Sequence, residues 1–500
     1  MPCHRRPWRC GLEGYANVSI GQKVVSAIGW STGIKIGFQM VTWAMTLLVV
    51  RILSPDDYGL VALSQVVINL LVVFSNLGLG DALVQREDTP KPVIASVFGL
   101  LLLLSGALTV LVVLAAPTIG AWYQEPRLVP LVQVASLSFL FAGVTTLPRM
   151  YLTKSLRVRP MFIMELSSGL VGSAVIICLA YSGYGVWSLV VGGLAGQVAR
   201  LVGFIALTSE YFVWPSLNLR LVRPLMSFGI YRTLEYTLWV AFTSVDALII
   251  GWRLGAAELG FYSVALNLAA MPLSKVAPII NQVAFPAFAM IQQDPAEARF
   301  YVLKAMRLMT MVAVPVFFGI SAVAPELVAL VFGPTWAATA PLLAVLAVAM
   351  SFRAVMLVIP NYLQGIGHAK ASFWCNLASA ALFTPLFLIG CHWGVLGVCY
   401  AWLLGYPPVF AVTVLIASRY GRLGMLPLLM TPVRPMAAGA VMILAVAGLR
   451  PLLHGGVVPD LLTLVFAGAA TYSAIMLLAF RPLVMELVSL VHKRRRPVQA

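Results

Sequence analysis

The chain has 500 residues, of which 61% are hydrophobic and 10% charged, with a formal net charge of +16. So few charged groups cannot cover a water-facing surface, since soluble domains carry about 25% charged residues. The composition excludes a soluble enzyme, a disordered chain and a disulfide scaffold, and leaves an all-α polytopic membrane protein.

A helix needs about 20 mostly apolar residues to cross the hydrocarbon core. Fourteen such stretches are predicted in chain order: 25–50, 59–82, 93–117, 128–148, 161–182, 186–207, 227–251, 259–288, 302–324, 339–364, 371–391, 394–417, 433–450 and 461–480. The basic opening MPCHRRPWRC is not followed by a short apolar core with a small-residue cleavage site, so a cleaved signal peptide is not expected. The connections between spans are too short for a folded soluble domain, which needs about 50 residues. Cytoplasmic termini and fourteen spans put 24 of the 33 basic residues on the cytoplasmic side. Four (Arg51, Arg127, Arg253, Arg450) fall on the opposite side and five (Lys35, Arg200, Arg232, Lys275, Arg353) within spans. Cytoplasmic loops are the ones enriched in Lys and Arg, so this division supports both the span count and the orientation.

The first connection reads RILSPDDYGLVAL from Arg51, and a related string, RLGAAELGFYSVAL, begins at Arg253. Aligning Gly59 with Gly260 also aligns Leu53 with Leu254 and Asp57 with Glu258, at an offset of 201 residues. Six spans separate the two strings. The expected plan is therefore two pseudo-repeated six-helix lobes and two C-terminal helices, about 14 in all. In residues it reads as a basic extension 1–19, an N-lobe 20–208, a linker 209–226, a C-lobe 227–418, the last two helices 419–480 and a basic tail 481–500. Parallel repeats in transporters place the substrate path between them.

Ionisable groups within spans are costly and mark candidate function. Lys35 lies about 16 Å into the first span, on a stripe of Ser31, Gln39, Thr42 and Thr46. The second span carries Gln65, Asn69 and Asn76 on one face, and the seventh carries Arg232, Glu235, Trp239 and Asp246. Arg232 and Glu235, three apart, either pair with each other or line a cavity. Asp246 is either a proton- or cation-coupling site or a group at a helix end. The eighth span has Lys275 with Asn267, Ser274, Asn281 and Gln282, and Pro272, Pro278 and Pro286 are expected to interrupt it. Arg353, with Asn361 and Gln364, lies in the tenth span, and Glu165 and Arg200 in the fifth and sixth. Each of these is either a snorkelling or packing residue or part of a site. Together, Lys35, Arg232, Lys275 and Arg353, with Gln39 and Asn69, describe a cationic cavity that attracts an anion from the cytoplasm. Asp246 and Glu235 are the candidate ion-coupling groups.

Other chemistries lack their residues. There is no GxxxxGK[ST] loop for ATP, no HExxH, and no CxxC among Cys3, Cys10, Cys178, Cys375, Cys391 and Cys399. Neither a metal nor another cofactor is expected, nor an enzymatic activity, nor nucleic-acid binding. Gly192 and Gly196 form a GxxxG, which in an apolar helix reads as helix packing.

The strings GQKVVSAIGWSTGIKIGFQ, RILSPDDYGLVAL and NLGLGDALVQRED, and later VDALIIGWRLGAAELGFYSVALNLAAMPLSKV, FPAFAMIQQDPAEARFYV and PELVALVFGPTWAATAPLL, resemble the Wzx-type polysaccharide exporters. The likeness is strongest to the colanic-acid-exporter branch of the MATE-like flippase superfamily and runs from about residue 20 to about 420. It implies two helical lobes around a cavity, working by alternating access. It further implies flipping of undecaprenyl-pyrophosphate-linked oligosaccharide from the cytoplasmic to the periplasmic leaflet of a bacterial inner membrane. The implied partners are the lipid-linked substrate, membrane lipids, and a polysaccharide polymerase and glycosyltransferases. The related lipid II flippase uses basic residues of its first, second and eighth helices, and Lys35 and Lys275 fall in corresponding helices. Two other readings remain: a cation-coupled MATE-like exporter of small molecules, whose cavity should be acidic, and a non-transporting scaffold of a polysaccharide assembly complex.

Overall fold

The string SPDD starts a helix by an evident mechanism. Ser54 Oγ accepts the amide of Asp57, the Asp57 carboxylate accepts the amide of Ser54, and Pro55 supplies the preset first turn. Helix α1 follows over Pro55–Asn76. The computed structural model describes residues 41, 45, 47–85, 89–155, 158–211, 213–290, 294–421 and 423–481, and within some helices the backbone only. The described residues contain helices, turns and no strand. Eleven helical stretches among them are long and apolar enough to cross a membrane, one of which, 370–421, holds two successive helices. The chain is an all-helical, multi-pass membrane protein.

The described residues cluster into two compact units, divided between Ser244 and Val245. In the first unit α1 is followed by α2 (Leu79–Gln85), α3 (Lys91–Trp122), α4 (Leu128–Ala135), α5 (Leu137–Lys154), α6 (Val158–Tyr181) and α7 (Val186–Thr208). Helix α8 (Leu219–Arg253) contains the division between the units. It begins within the segment expected as a linker, because the Asn218 carboxamide oxygen accepts the Arg220 amide and caps an earlier start. The second unit has α9 (Ala256–Met290), α10 (Pro295–Ala322), α11 (Ala324–Val331), α12 (Thr339–Met356), α13 (Val358–Gly365), α14 (Ala369–Gly390) and α15 (Gly394–Gly421). The short α16 (Met425–Met430) and the long α17 (Val433–Leu449) and α18 (Val457–Ala479) complete it.

The repeat has a local structural counterpart. Helix α1 starts at Pro55 and α9 at Ala256, the same offset of 201 residues that relates the two strings. Each unit then contains a span broken after some turns, at Ser136 in one and Leu357 in the other. The prolines of the eighth span do not interrupt it: α9 is continuous through Pro272, Pro278 and Pro286. Proline is tolerated in such helices when neighbouring groups re-satisfy the freed backbone.

Large apolar side chains such as Leu114, Leu404, Leu444, Phe466 and Leu478 are exposed, as a lipid-facing surface requires. Lipid tails are as apolar as leucine, so helix contacts rest on close approach rather than on expulsion of water. In the first unit this is visible where α6 meets α7. A Cβ on Gly172 would lie 3.0 Å from the Gly192 carbonyl oxygen and 3.3 Å from Gly196 Cα. The GxxxG is a packing motif, as its sequence suggests. In the second unit Val302, Met306, Ile359, Tyr362, Val414 and Ala417 form a buried core joining α10, α13 and α15. The last two helices pack beside α10 through Val314, Phe318, Met442 and Tyr472.

Candidate substrate cavity and buried carboxylate

One face of α5 carries Ala142, Thr145, Thr146, Arg149, Met150 and Thr153, spaced by three and four residues so that they line up along the helix. Threonine hydroxyls are inexpensive in such a helix because they bond back to the preceding turn: Thr145 to the Phe141 carbonyl at 2.6 Å and Thr146 to that of Ala142 at 2.9 Å. This face looks into a cavity of about 760 Å³ whose described lining residues all belong to the first unit. The opposite walls come from Val72, Val73 and Asn76 of α1, Gly78 in the turn, Gly80 and Val84 of α2, Gln197 and Arg200 of α7, and Thr233 of α8.

The turn that closes α1 holds Leu77 at φ +42° and Gly78 at φ +58°. Glycine adopts this region freely, whereas a leucine does so at a cost that the surrounding structure must hold. Gly80 then lets α2 come close to α5: a Cβ there would sit 2.8 Å from Thr146 Cγ2. The single Thr146 hydroxyl hydrogen is shared between the Ala142 carbonyl and Asn76 Oδ1, 2.7 Å away, which holds the Asn76 carboxamide at the cavity wall. Arg149 is exposed and stands 3.9 Å from the Glu165 carboxylate. Arg200 differs: its Nε is buried and has no hydrogen-bond partner among the described residues, and the same holds for Thr233 Oγ1.

The second unit contains a buried carboxylate. Asp246 is 1% exposed and accepts hydrogen bonds from the Tyr262 hydroxyl and from the Ala247 amide, the latter at 2.8 Å. Trp402 Nε1 donates to the Tyr262 hydroxyl oxygen at 2.7 Å. Arg353 interacts with Asp246 electrostatically. Trp402 itself packs in an aromatic cluster with Phe383, Phe387 and Tyr406, its ring centroid 4.7 Å from that of Phe383.

Of the residues singled out in the sequence, Asp246 and Arg353 lie near enough to interact electrostatically, without forming an ion pair among the described residues. Lys35 and Gln39 lie outside the described residues, and so do the side chains of Arg232 and Glu235 on α8. Lys275 is exposed on α9. Asn69 is exposed on α1, where its Oδ1 accepts the Gln65 amide at 2.7 Å, a pairing within one helix face. The cavity residues Thr145, Thr146, Arg149, Gln197, Arg200 and Thr233 were not among the sequence candidates for substrate contact, although Arg200 was visible as a charge within a span.

Residues 48–341 match the family model described as polysaccharide biosynthesis protein. The chain is 29% identical to the lipopolysaccharide biosynthesis protein WzxC of Escherichia coli (strain K12), over 77% of this chain and 79% of that protein. It is 27% identical to the succinoglycan biosynthesis transport protein ExoT of Rhizobium meliloti (strain 1021), over 94% of this chain and 96% of that one. Among solved structures, the lipid II flippase MurJ in an inward closed conformation superposes with a TM-score of 0.72 at 13% identity, covering 89% of this chain and 98% of its own. An inward-facing multidrug MATE transporter gives 0.59 at 17% identity, covering 77% and 94%. These two likenesses establish the fold.

Proposed function

The chain belongs to the polysaccharide biosynthesis protein family, and we propose that it flips oligosaccharide units carried on undecaprenyl pyrophosphate from the cytoplasmic to the periplasmic leaflet of the inner membrane. The observation that carries this reading is the cavity of about 760 Å³, lined by hydroxyl, carboxamide and guanidinium groups within a bundle whose outer side chains are apolar. Its size is in the range of sites that enclose a small-molecule ligand. Charged groups such as Arg200 are costly inside a membrane bundle and by default mark a substrate path. Relatives named for lipopolysaccharide biosynthesis and for succinoglycan transport support a glycan as that load.

In this reading Lys35, Arg232, Lys275 and Arg353 hold the pyrophosphate, with Gln39 and Asn69 as polar contacts. The prenyl tail remains in lipid, and the units alternate access to the two leaflets. No covalent step on the substrate is involved. Both termini are cytoplasmic. The polymerase and glycosyltransferases of the same polysaccharide act on either side of this step. Asp246 and Glu235 couple transport to a proton or cation gradient. A small-cation exporter is disfavoured by the cavity's arginines, which would repel such a load.

The experiment is charge reversal in cells that lack the native gene. Lys35→Glu and Lys275→Glu are expected to abolish surface polysaccharide while the protein stays in the membrane; full export by both variants would overturn the site assignment. For coupling, Asp246→Asn is expected to abolish the dependence of flipping on an imposed gradient in vesicles. An unchanged dependence removes Asp246 from that role.

A further inference from the structure

Helices α14 and α15 meet through glycines near their connecting turn. A Cβ on Gly390 would lie 2.6 Å from the Gly397 carbonyl oxygen and 3.3 Å from Ala401 Cβ, so the backbones touch where no larger side chain fits. Small residues permit this close approach, and the large side chains beside them stand apart. An outer groove of about 490 Å³ results, with Leu386 and Ile389 of α14 on one side and Tyr400 and Leu404 of α15 on the other. Among its described lining residues only Trp393 and Tyr400 carry a polar side-chain atom. Trp393 is 72% and Leu404 68% exposed, so the groove faces the lipid rather than the bundle interior.

Its length and its polar end narrow what can lie there. From Gly394, the first residue of α15, to Leu404 the helix rises about 15 Å, half of a hydrocarbon core of about 30 Å. The groove is therefore as long as one leaflet is deep. At the turn, Arg253, the last residue of α8, stands close enough to Cys391 to interact with it electrostatically. The Arg253 guanidinium lies 4.5 Å from the Trp252 ring centroid, and no ion pair among the described residues involves it. Arginine and tryptophan at the end of a span sit at the depth of the lipid headgroups.

We infer that this groove is a phospholipid site, in which one acyl chain of an anionic phospholipid of the phosphatidylglycerol type lies between α14 and α15 with its phosphate beside Arg253. Length selects the chain: an undecaprenyl tail is far longer than one leaflet is deep. Charge selects the headgroup. Phosphatidylethanolamine offsets its phosphate with its own ammonium, whereas phosphatidylglycerol leaves the phosphate charge to the guanidinium. The groove, the turn and Arg253 all belong to the second unit. The inference needs only the membrane-spanning fold and is independent of the transport reading.

The test uses the full-length protein, purified and delipidated in a neutral detergent. Phosphatidylglycerol, phosphatidylethanolamine and undecaprenyl phosphate are added separately and in competition, and bound lipid is counted by native mass spectrometry. Wild type is expected to hold phosphatidylglycerol about fivefold more tightly than phosphatidylethanolamine, the contribution of one basic residue beside anionic lipid. Arg253→Gln should lose that preference. Ile389→Trp, which fills the groove, should weaken both phospholipids and leave undecaprenyl phosphate unchanged. Both positions are exposed, and either variant tests the proposal if the other fails to fold. Equal affinity of wild type for the two phospholipids, or wild-type retention of phosphatidylglycerol by the folded variants, overturns the proposal. Displacement of phosphatidylglycerol by undecaprenyl phosphate from wild type but not from Ile389→Trp overturns it in favour of the carrier. A wild-type dimer that Ile389→Trp dissociates overturns it in favour of a second copy of the chain.

Discussion

Tyr262 donates its hydroxyl hydrogen to the Asp246 carboxylate while its oxygen accepts from Trp402 Nε1, so that α8, α9 and α15 are joined by one chain of buried bonds. A buried carboxylate is tolerable only when its lone pairs are met, and here Tyr262 and the Ala247 amide meet them. Tyr262→Phe would leave the carboxylate short of a donor and strand the indole N–H of Trp402. A loss of about 1.5–3 kcal/mol is expected, as for other hydrogen bonds to charged groups. Trp402→Phe removes only the outer, neutral link, and should cost less through that bond. Thermal unfolding in detergent, read with both variants, checks the order. If Tyr262→Phe melts with wild type, the chain of bonds does not hold the unit together.

A second tie fastens the carboxy-terminal helices. Arg450 follows α17 and donates to both oxygens of Glu326 on α11, at 2.7 and 3.2 Å, and to the Ala322 carbonyl at the end of α10 at 2.6 Å. Its side chain is 39% exposed, so solvent screens part of the attraction. Arg450→Ala should cost about 1–2 kcal/mol, reflecting the paired geometry and the lost carbonyl bond. A double-mutant cycle with Glu326→Gln should give a coupling of about 1 kcal/mol; additive effects would show that the pair contributes nothing.

The two spans were legible from their apolar runs at 59 and 259, but their helices start earlier, at Pro55 after the capping Ser54 and at Ala256 after Gly255 at φ +90°, because polar first turns carry no hydropathy signal. Asn69 shows where such reasoning stops. Its place on a polar stripe was correct, but the stripe satisfies itself through Gln65, which no periodicity reveals. The cavity was hidden for a related reason. Thr145 and Thr146 bond back to their own helix and therefore carry no visible cost, and Arg149 near the end of α5 reads as an ordinary loop cation. Only the packing of α1, α5 and α7 decides that they share a space with Arg200. The glycine motif of α7 was readable in kind, though its partner on α6 was not.

In the turn between α3 and α4, outside the membrane spans, Arg127 ties its own turn to the start of α1. It donates to Glu125 at 2.8 and 3.0 Å and to Asp56 at 2.7 Å. The hydrogen bond from Arg127 holds the Glu125 carboxyl below its ordinary range, and Glu125 and Asp56 in turn raise the guanidinium. A lowered carboxylate pKa contributes stability above the unfolded value, near 4.3, and loses it as pH falls through the folded value. The cluster is largely solvated, so the effect is about 1 kcal/mol or less. Arg127→Gln should therefore lower the melting temperature at pH 7, and the gap to wild type should narrow on acidification below about pH 4. A gap that stays constant across that range would show that the ion pairs do not carry it.

Two adjacent glycines of α7 give a sharper contrast. A Cβ on Gly192 would lie 2.9 Å from the Ile176 amide nitrogen and 3.0 Å from the Gly172 carbonyl oxygen, both backbone atoms of α6 that cannot step aside. On Gly193, one residue on, it would meet nothing within 4 Å. Gly192→Ala must push α6 and α7 apart, and overpacking of this kind costs about 1–3 kcal/mol. Gly193→Ala meets no obstacle and trades glycine for the best helix former, a gain of up to about 1 kcal/mol in a water-exposed helix. The two variants add the same methyl group to the same helix, so composition and expression context are matched. Thermal unfolding of the purified variants should place Gly192→Ala below wild type and Gly193→Ala at or above it. Equal melting of the two would mean that α6 and α7 do not meet at these glycines.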